Sequence, residues 1–226
     1  MYNKWAMKRP NIATFMGCVG NDEEARIMKD DVVKNGLEVV YEVNRDARTG
    51  VCIVALTDNN RSLIAKLNAA SLCTIGHFDA NWFIVEKSQY YYCTGFFLST
   101  CSEAIMRIAK YSLEQNRKFI FNVSAPAICS RYCNEICNLM PYIDILIGNN
   151  DEIATLYENV LGIMVSLSLI FYLQNFYFFF QNTEYDSLHK KIKYFATMPK
   201  LNSVKRTVIV TRGHEPIILI DGNFYY

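Results

Sequence analysis

The chain has 226 residues, half of them apolar, with 23 basic and 22 acidic side chains and a net charge of +1. That length suits one domain, or one domain with a small appendage, and allows a real hydrophobic core. The apolar fraction excludes disorder, and balanced charge without a basic stripe argues against nucleic acid or an acidic membrane surface as a partner.

Asn11–Val19 reads as a short buried strand. Glu23–Asn35 reads as a helix, with Asn21 or Asp22 as its cap and Gly36 at its end. Val39–Val43 is a second strand. Thr49–Leu67 then reads as a hairpin. In its first arm Cys52, Val54 and Leu56 alternate with Val51, Ile53 and Ala55, which predicts a strand buried on both faces. Asp58, Asn59 and Asn60 supply turn chemistry, and Arg61 sits at the tip end, where a guanidinium fork can meet an anion. Taken alone, the segment is a surface hairpin with a solvated arginine.

Further on, Gln89–Thr94 is strand-like and Ser102–Asn116 is helical, capped by Ser102, with Ile105, Ile108, Ala109 and Leu113 on one face. Lys118–Val123 is a buried strand, and Ser130–Met140 is a helix ended by Pro141. Ile143–Ile147 is a strand, Asp151–Tyr157 starts a helix, and Thr207–Val210 and Ile217–Ile220 are antiparallel strands. Strands alternating with helices predict an α/β fold, a mainly parallel sheet with helices on both faces. Ligands of such sheets gather beyond the carboxyl ends of the strands, where Thr94–Phe97, Asn122–Ala125 and Asn149–Glu152 fall.

Gly162–Gln181 breaks this pattern, because no charge occurs between Glu158 and Glu184. A membrane span needs about 20 apolar residues, and Ile163–Phe180 barely reaches that before allowing for Gln174 and Asn175. A buried amphipathic helix would show a stripe, but this segment is apolar all round. The reading preferred is a retained intron, since FFFQ is what a thymine-rich tract followed by CAG would encode. Such a segment is an aggregation liability.

The eight cysteines form no CxxC pair, and no signal-peptide pattern precedes them, so they read as free thiols in a reducing cytosol. Cys129, Cys133 and Cys137 recur every four residues on one helix face and are taken as small core residues. His77, His189 and His214 show no ligand spacing and read as surface or loop positions. Asn149 and Glu152 can order magnesium and its waters, or simply cap a helix, and on these residues alone the cap is the better reading. Asn122 reads as a turn residue, and Thr211-Arg212-Gly213 as a weak phosphate-approach motif.

Thr49–Leu67, with its run DNNRSLIAKL, resembles the adenosine kinases of the ribokinase-like sugar and nucleoside kinase family. So do GCVG (Gly17–Gly20), TGFFL (Thr94–Leu98), NVSAP (Asn122–Pro126), PYIDILIGNNDEIATL (Pro141–Leu156) and VIVTRG (Val208–Gly213). The resemblance covers about three quarters of the chain, and deleting Gly162–Gln181 restores the family's spacing. It implies a ribokinase-like three-layer sandwich with a small β lid, its hairpin over about residues 39–67, here truncated at both ends.

It also implies transfer of the ATP γ-phosphate to the 5′-hydroxyl of adenosine, with Mg²⁺, by a cytoplasmic and also nuclear monomer that uses neither nucleic acid nor membrane. By that resemblance Cys52, Arg61, Leu63, Ala65 and Phe97 line the nucleoside pocket. Asn122, Thr211 and Gly213 serve the nucleotide, and Asn149 and Glu152 serve the metal. Ala127 stands where the family has an aromatic wall, and Ala25 where it has a small residue, usually glycine. The family's catalytic base is expected beyond Tyr226, so the chain as written is expected to be inactive; the alternative is a non-catalytic nucleoside-binding derivative.

Overall fold

The computed structural model describes residues 12–57, 60–171, 188–222 and 224–225. They form two compact units, Met1–Glu86 and Lys87–Tyr226.

The first unit opens with a β-α-β unit: β1 (Thr14–Gly20), α1 (Glu23–Lys34) and β2 (Glu38–Asn44), with β1 and β2 parallel from Thr14↔Glu38 to Gly20↔Asn44. The expected buried strand is buried only at its end, over Cys18–Gly20. Asp22 is the cap: its Oδ1 accepts from the Ala25 amide at 3.0 Å. The same carboxylate accepts from the Thr49 amide at 2.7 Å and the Thr49 hydroxyl at 2.5 Å, while the Gly20 amide donates to that hydroxyl oxygen at 3.0 Å. One aspartate therefore ends a strand, starts a helix and fixes the entry to the hairpin. These bonds hold the Asp22 carboxyl below its ordinary range, the Thr49 hydroxyl contributing most.

The hairpin is β3 (Val51–Thr57) paired antiparallel with β4 (Asn60–Lys66). Residues 39–44, included in the expected lid span, are not part of the hairpin; they belong to β2 and pair with β1. The expectation of two-sided burial also fails, since all seven residues of β3 are exposed. Both faces carry apolar residues, and Arg61–Lys66 of the partner strand are exposed as well. The turn at Asp58–Asn59 lies outside the described residues. A 3₁₀ turn (Asn68–Leu72), α2 (Ile75–Ala80) and α3 (Trp82–Lys87) follow. His77 is part-buried in α2, with its Nε2 3.0 Å from the Val40 carbonyl, rather than in a loop.

The second unit is a six-stranded sheet in the order β10-β9-β8-β7-β6-β5. Its strands are β5 (Tyr90–Thr94), β6 (Lys118–Asn122), β7 (Ile145–Asn149), β8 (Thr207–Arg212), β9 (Glu215–Asp221) and β10 (Phe224–Tyr225). Strands β5 to β8 are parallel, and β9 and β10 antiparallel. Its helices are α4 (Leu98–Glu114), α5 (Pro126–Arg131), α6 (Cys133–Leu139), α7 (Asn150–Phe171) and α8 (Leu188–Thr197). The α/β fold with a mainly parallel sheet is as the sequence predicts. The core is built on Phe119, Phe121, Leu146, Val208 and Val210 of the strands and on Ile105, Ile136, Ile153, Leu156 and Phe195 of the helices.

Three helix boundaries differ from expectation. An extra turn, starting at Leu98, precedes the expected helix in α4, and the non-helical Cys101 (φ −149°, ψ 74°) separates the two just before Ser102. The single helix over Ser130–Met140 is two, broken at Tyr132 (φ −115°, ψ 27°). Cys129 and Cys133 thus sit on different helices; both are buried, Cys137 is half-buried, and all eight cysteines are free thiols. Third, α7 runs on through Phe171 into the anomalous segment, whose residues 172–181 lie outside the described residues. Among the described residues no helix is long and apolar enough to cross a membrane.

At the amino-terminal edge of the sheet, Arg206 is fully buried. Its guanidinium donates to the carbonyls of Met140 and Phe195, of Ile143 and Met198 (both 3.2 Å), and of Pro199 (3.4 Å). The carbonyls of Met140, Phe195 and Met198 lie at the ends of α6 and α8, where a cation meets the negative end of each helix dipole. Nearby, buried Asp144 accepts from the Phe119 amide at 2.9 Å and pairs with Lys200 at 2.6 Å, both side chains 5% exposed. Burial, more than any neighbour, depresses Lys200 below its usual range, and the Asp144 pairing only partly offsets it. Replacing Lys200 by alanine strands the Asp144 carboxylate; a loss of about 3–5 kcal/mol is expected in urea unfolding, and a loss near zero would show that the pair is solvated.

Candidate active site

The parallel strands end together at the carboxyl edge of the second unit. Thr94 is in register with Asn122, Asn122 with Ile147, and Asn149 with Thr211. The close fit at this edge comes from Val123, which is fully buried and whose amide donates to the Ile147 carbonyl at 2.9 Å. A Cβ on Gly95 would lie 2.6 Å from the Val123 carbonyl oxygen. One on Gly148 would lie 2.8 Å from the Val123 Cγ2. Two glycines therefore let the ends of β5 and β7 close on one valine.

The loop after β6 is held by its own polar groups. The Asn122 Oδ1 accepts from the Ser124 amide at 2.8 Å, and its Nδ2 donates to the Tyr92 hydroxyl at 3.1 Å. Ser124 adopts φ 72°, a left-handed conformation unusual for serine, and its hydroxyl oxygen accepts from the Gly95 amide at 2.9 Å. Asn122 thus organises the turn, as its residue type suggests. Phe97 closes the 3₁₀ turn Gly95–Phe97 directly after β5 and is half-buried.

Asn149 and Glu152 bond reciprocally. The Glu152 amide donates to the Asn149 Oδ1, and the backbone amide and Nδ2 of Asn149 donate to the two carboxylate oxygens of Glu152, all at 2.9 Å. This is a capping box at the start of α7. Glu152 is 8% exposed. Burial pushes its carboxyl above the usual range and Asp151 adds to this, while the bond from Asn149 opposes it. It has no ion-pair partner among the described residues. A buried carboxylate without a counter-charge fits a hydrated divalent cation, which keeps most of its waters and needs few protein oxygens. No group of three or more metal-ligating side chains occurs among the described residues.

Thr211 is exposed on the neighbouring strand. Gly213 follows in the β8–β9 turn at φ 64°, with open space where a side chain would be. The flanking Arg212 and Glu215 form an ion pair across that turn.

In the first unit, the β3–β4 register pairs Cys52 with Ala65, Val54 with Leu63 and Leu56 with Arg61. Cross-strand partners share a face, so Cys52, Arg61, Leu63 and Ala65 lie together on one side of the hairpin, all exposed. The expected residues thus form two sets, four on one face of the hairpin in one unit and Phe97, Asn122, Asn149, Glu152, Thr211 and Gly213 at the sheet edge of the other. Sequence reasoning missed Gly95 and Gly148, which set the spacing of that edge, and Thr49, the partner of Asp22. A glycine inside an apolar strand, as in Ile147-Gly148-Asn149, is the signal that could have found one of them.

Known proteins add the family. The profile of the pfkB family carbohydrate kinases matches residues 11–226. Adenosine kinase 2 of Arabidopsis thaliana is 30% identical over 221 residues, which span 96% of this chain and 58% of that protein. The crystal structure of Anopheles gambiae adenosine kinase in complex with P1,P4-di(adenosine-5) tetraphosphate superimposes with a TM-score of 0.83 at 34% identity, covering 97% of this chain and 59% of that one. Schistosoma mansoni adenosine kinase in complex with adenosine gives a TM-score of 0.79 at 28% identity, covering 96% and 58%. The chain belongs to the pfkB family of carbohydrate kinases, and its fold is the ribokinase-like fold of the adenosine kinases. It spans a little under three fifths of the length of these relatives.

Two outcomes are expected at this edge. Gly95→Ala, which meets backbone rather than a flexible side chain, should lose about 1–3 kcal/mol in chemical denaturation, and an unchanged midpoint would refute the close approach. Because the folded-state pKa of Glu152 is raised, the native state binds more protons above the reference value of 4.5. The contribution of Glu152 is therefore most favourable below that pH and is lost as pH rises through the folded pKa. Glu152→Gln should flatten this part of the stability–pH curve; an identical slope in wild type and variant would contradict the burial effect.

Proposed function

We propose that the protein is an adenosine kinase, transferring the γ-phosphoryl group of ATP to the 5′-hydroxyl of adenosine to give AMP and ADP. The observation that carries this reading is the convergence of Asn122, Asn149, Glu152 and Thr211 on the carboxyl edge of one parallel sheet, where ligands of such folds bind. The relatives point the same way: the Schistosoma enzyme was solved with adenosine, the Anopheles enzyme with a dinucleoside tetraphosphate.

The roles divide by chemistry. The exposed apolar face of the hairpin, with Cys52, Leu63 and Ala65, offers a dry cover for a nucleoside, and Arg61 at its tip offers a fork for phosphate oxygens. Phe97 offers a ring for the purine. Asn122, Thr211 and the open turn at Gly213 lie on the ATP side. Asn149 and Glu152 would hold Mg²⁺, which when bound neutralises phosphate charge. The proposal extends to a cytoplasmic monomer, present also in the nucleus.

Calorimetry with adenosine tests the reading. Phe97→Ala should weaken adenosine binding by about tenfold or more, the loss of one base–aromatic stack of about 1–3 kcal/mol. Absence of adenosine binding by the wild-type chain, or binding indifferent to Phe97, would overturn it. A parallel assay for AMP formed from ATP and adenosine separates a working kinase from a derivative that only binds the nucleoside.

A further inference from the structure

Among the described residues, three that are not glycine take a positive φ: Asn68, Asn116 and Ser124. Asparagine visits that conformation readily, because its short amide bonds the local backbone. Serine visits it less, and glycine would sit at φ 72° without steric cost. What serine supplies there and glycine does not is a hydroxyl. That hydroxyl donates to the Asn122 carbonyl at 3.0 Å and accepts from the Gly95 amide at 2.9 Å. Gly95 opens the 3₁₀ turn Gly95–Phe97, whose own cap position, Thr94, makes no side-chain bond to it. The turn is thus capped from another loop, 29 positions further along the chain. Its other end is closed locally. The Leu98 amide donates to the Gly95 and Phe96 carbonyls, and the Ser99 hydroxyl donates to the Phe96 carbonyl at 2.8 Å.

We infer that Ser124 is a positioning residue for the Phe97 ring, its hydroxyl fixing the direction in which the Gly95–Phe97 turn leaves β5. That the ring stacks on a purine rests on the adenosine reading above; that Ser124 sets its place does not. Two aromatic rings follow Gly95, Phe96 exposed and Phe97 half-buried. So short a 3₁₀ turn has no interior to hold it, and its first amide sets its axis. Releasing that amide lets the turn swing and carries both rings with it. A base–aromatic stack needs the ring in one plane at contact distance, so a swing weakens binding without removing any atom that touches the nucleoside. The Ser124 amide also donates to the Asn122 Oδ1 at 2.8 Å. One residue therefore sets both the ring on the nucleoside side and the asparagine on the nucleotide side. A left-handed φ at a residue other than glycine is the kind of backbone strain that clusters where function needs a fixed geometry.

Two readouts on the 226-residue chain test this. The first needs no ligand: the phenylalanines carry a para-fluorine label, and the Phe97 ¹⁹F resonance is assigned by its loss in Phe97→Ala. Ser124→Gly should move or broaden that resonance. Its unfolding midpoint should stay near wild type, because relief of the left-handed backbone offsets the lost bonds. The second readout is calorimetry with adenosine. Ser124→Gly and Ser124→Ala should both bind about three- to tenfold more weakly, the scale of one lost hydrogen bond. Ser124→Ala keeps the strained backbone and should be the less stable of the two, so binding follows the hydroxyl and not stability. In a Phe97→Ala background neither change should weaken binding further. A Phe97 resonance unmoved in Ser124→Gly would overturn the inference. So would adenosine binding unchanged by both variants, weakening that tracks the unfolding midpoint, or weakening that persists in full without the Phe97 ring. If the resonance moves while the wild-type chain binds no adenosine, the positioning role stands and the adenosine reading falls.

Discussion

Two glycines and one valine hold the carboxyl edge of the second unit together. Val123 has no exposed surface, and its carbonyl and side chain stand where Gly95 and Gly148 would otherwise place a Cβ. Any side chain at Gly95 would push the end of β5 away from β6, carrying the Ser124 bond to the Gly95 amide with it. Any side chain at Gly148 would press on Val123 and Ile153, and so on the start of α7, where Asn149 and Glu152 interlock. The polar residues of the candidate site are thus positioned by a packing constraint beneath them. Hydrogen bonds within the Asn122–Ser124 loop then fix the last details.

The opposite edge is organised by charge. Arg206 gathers carbonyls from the ends of two helices, and Asp144 ties β6, β7 and Lys200. Buried ions are expensive unless fully paired, so this edge is rigid only because each group is bonded several times. The first unit uses a smaller version of the same device, with Asp22 joining a helix cap to the root of the hairpin through Thr49.

Much of this was legible in the sequence where periodicity and end signals agreed. Asp22, Gly36 and the pattern between them place α1 to within a residue, and Asn149-x-x-Glu152 announces its capping box. The order of strands and helices gives the fold class. What stayed hidden has physical causes. Alternation in Val51–Thr57 tells which residues share a face, not whether anything covers that face, and both faces are exposed. The break at Tyr132 and the kink at Cys101 are backbone departures that no Gly or Pro marks. Asp144 and Lys200 are separated by 56 positions, so no local reading pairs them. The candidate site residues were singled out mainly through resemblance, since each of them alone also suits an ordinary turn, cap or core position.

The adenosine kinase reading proposed above puts the phosphate-handling chemistry at the ends of β6, β7 and β8. A crystal structure of the protein with Mg²⁺ and a non-hydrolysable ATP analogue examines that placement directly. Triphosphate density within contact distance of Asn149, Thr211 and Gly213 is the expected result. An analogue seated on the Lys200–Arg206 edge instead, with the carboxyl edge bare, would contradict it.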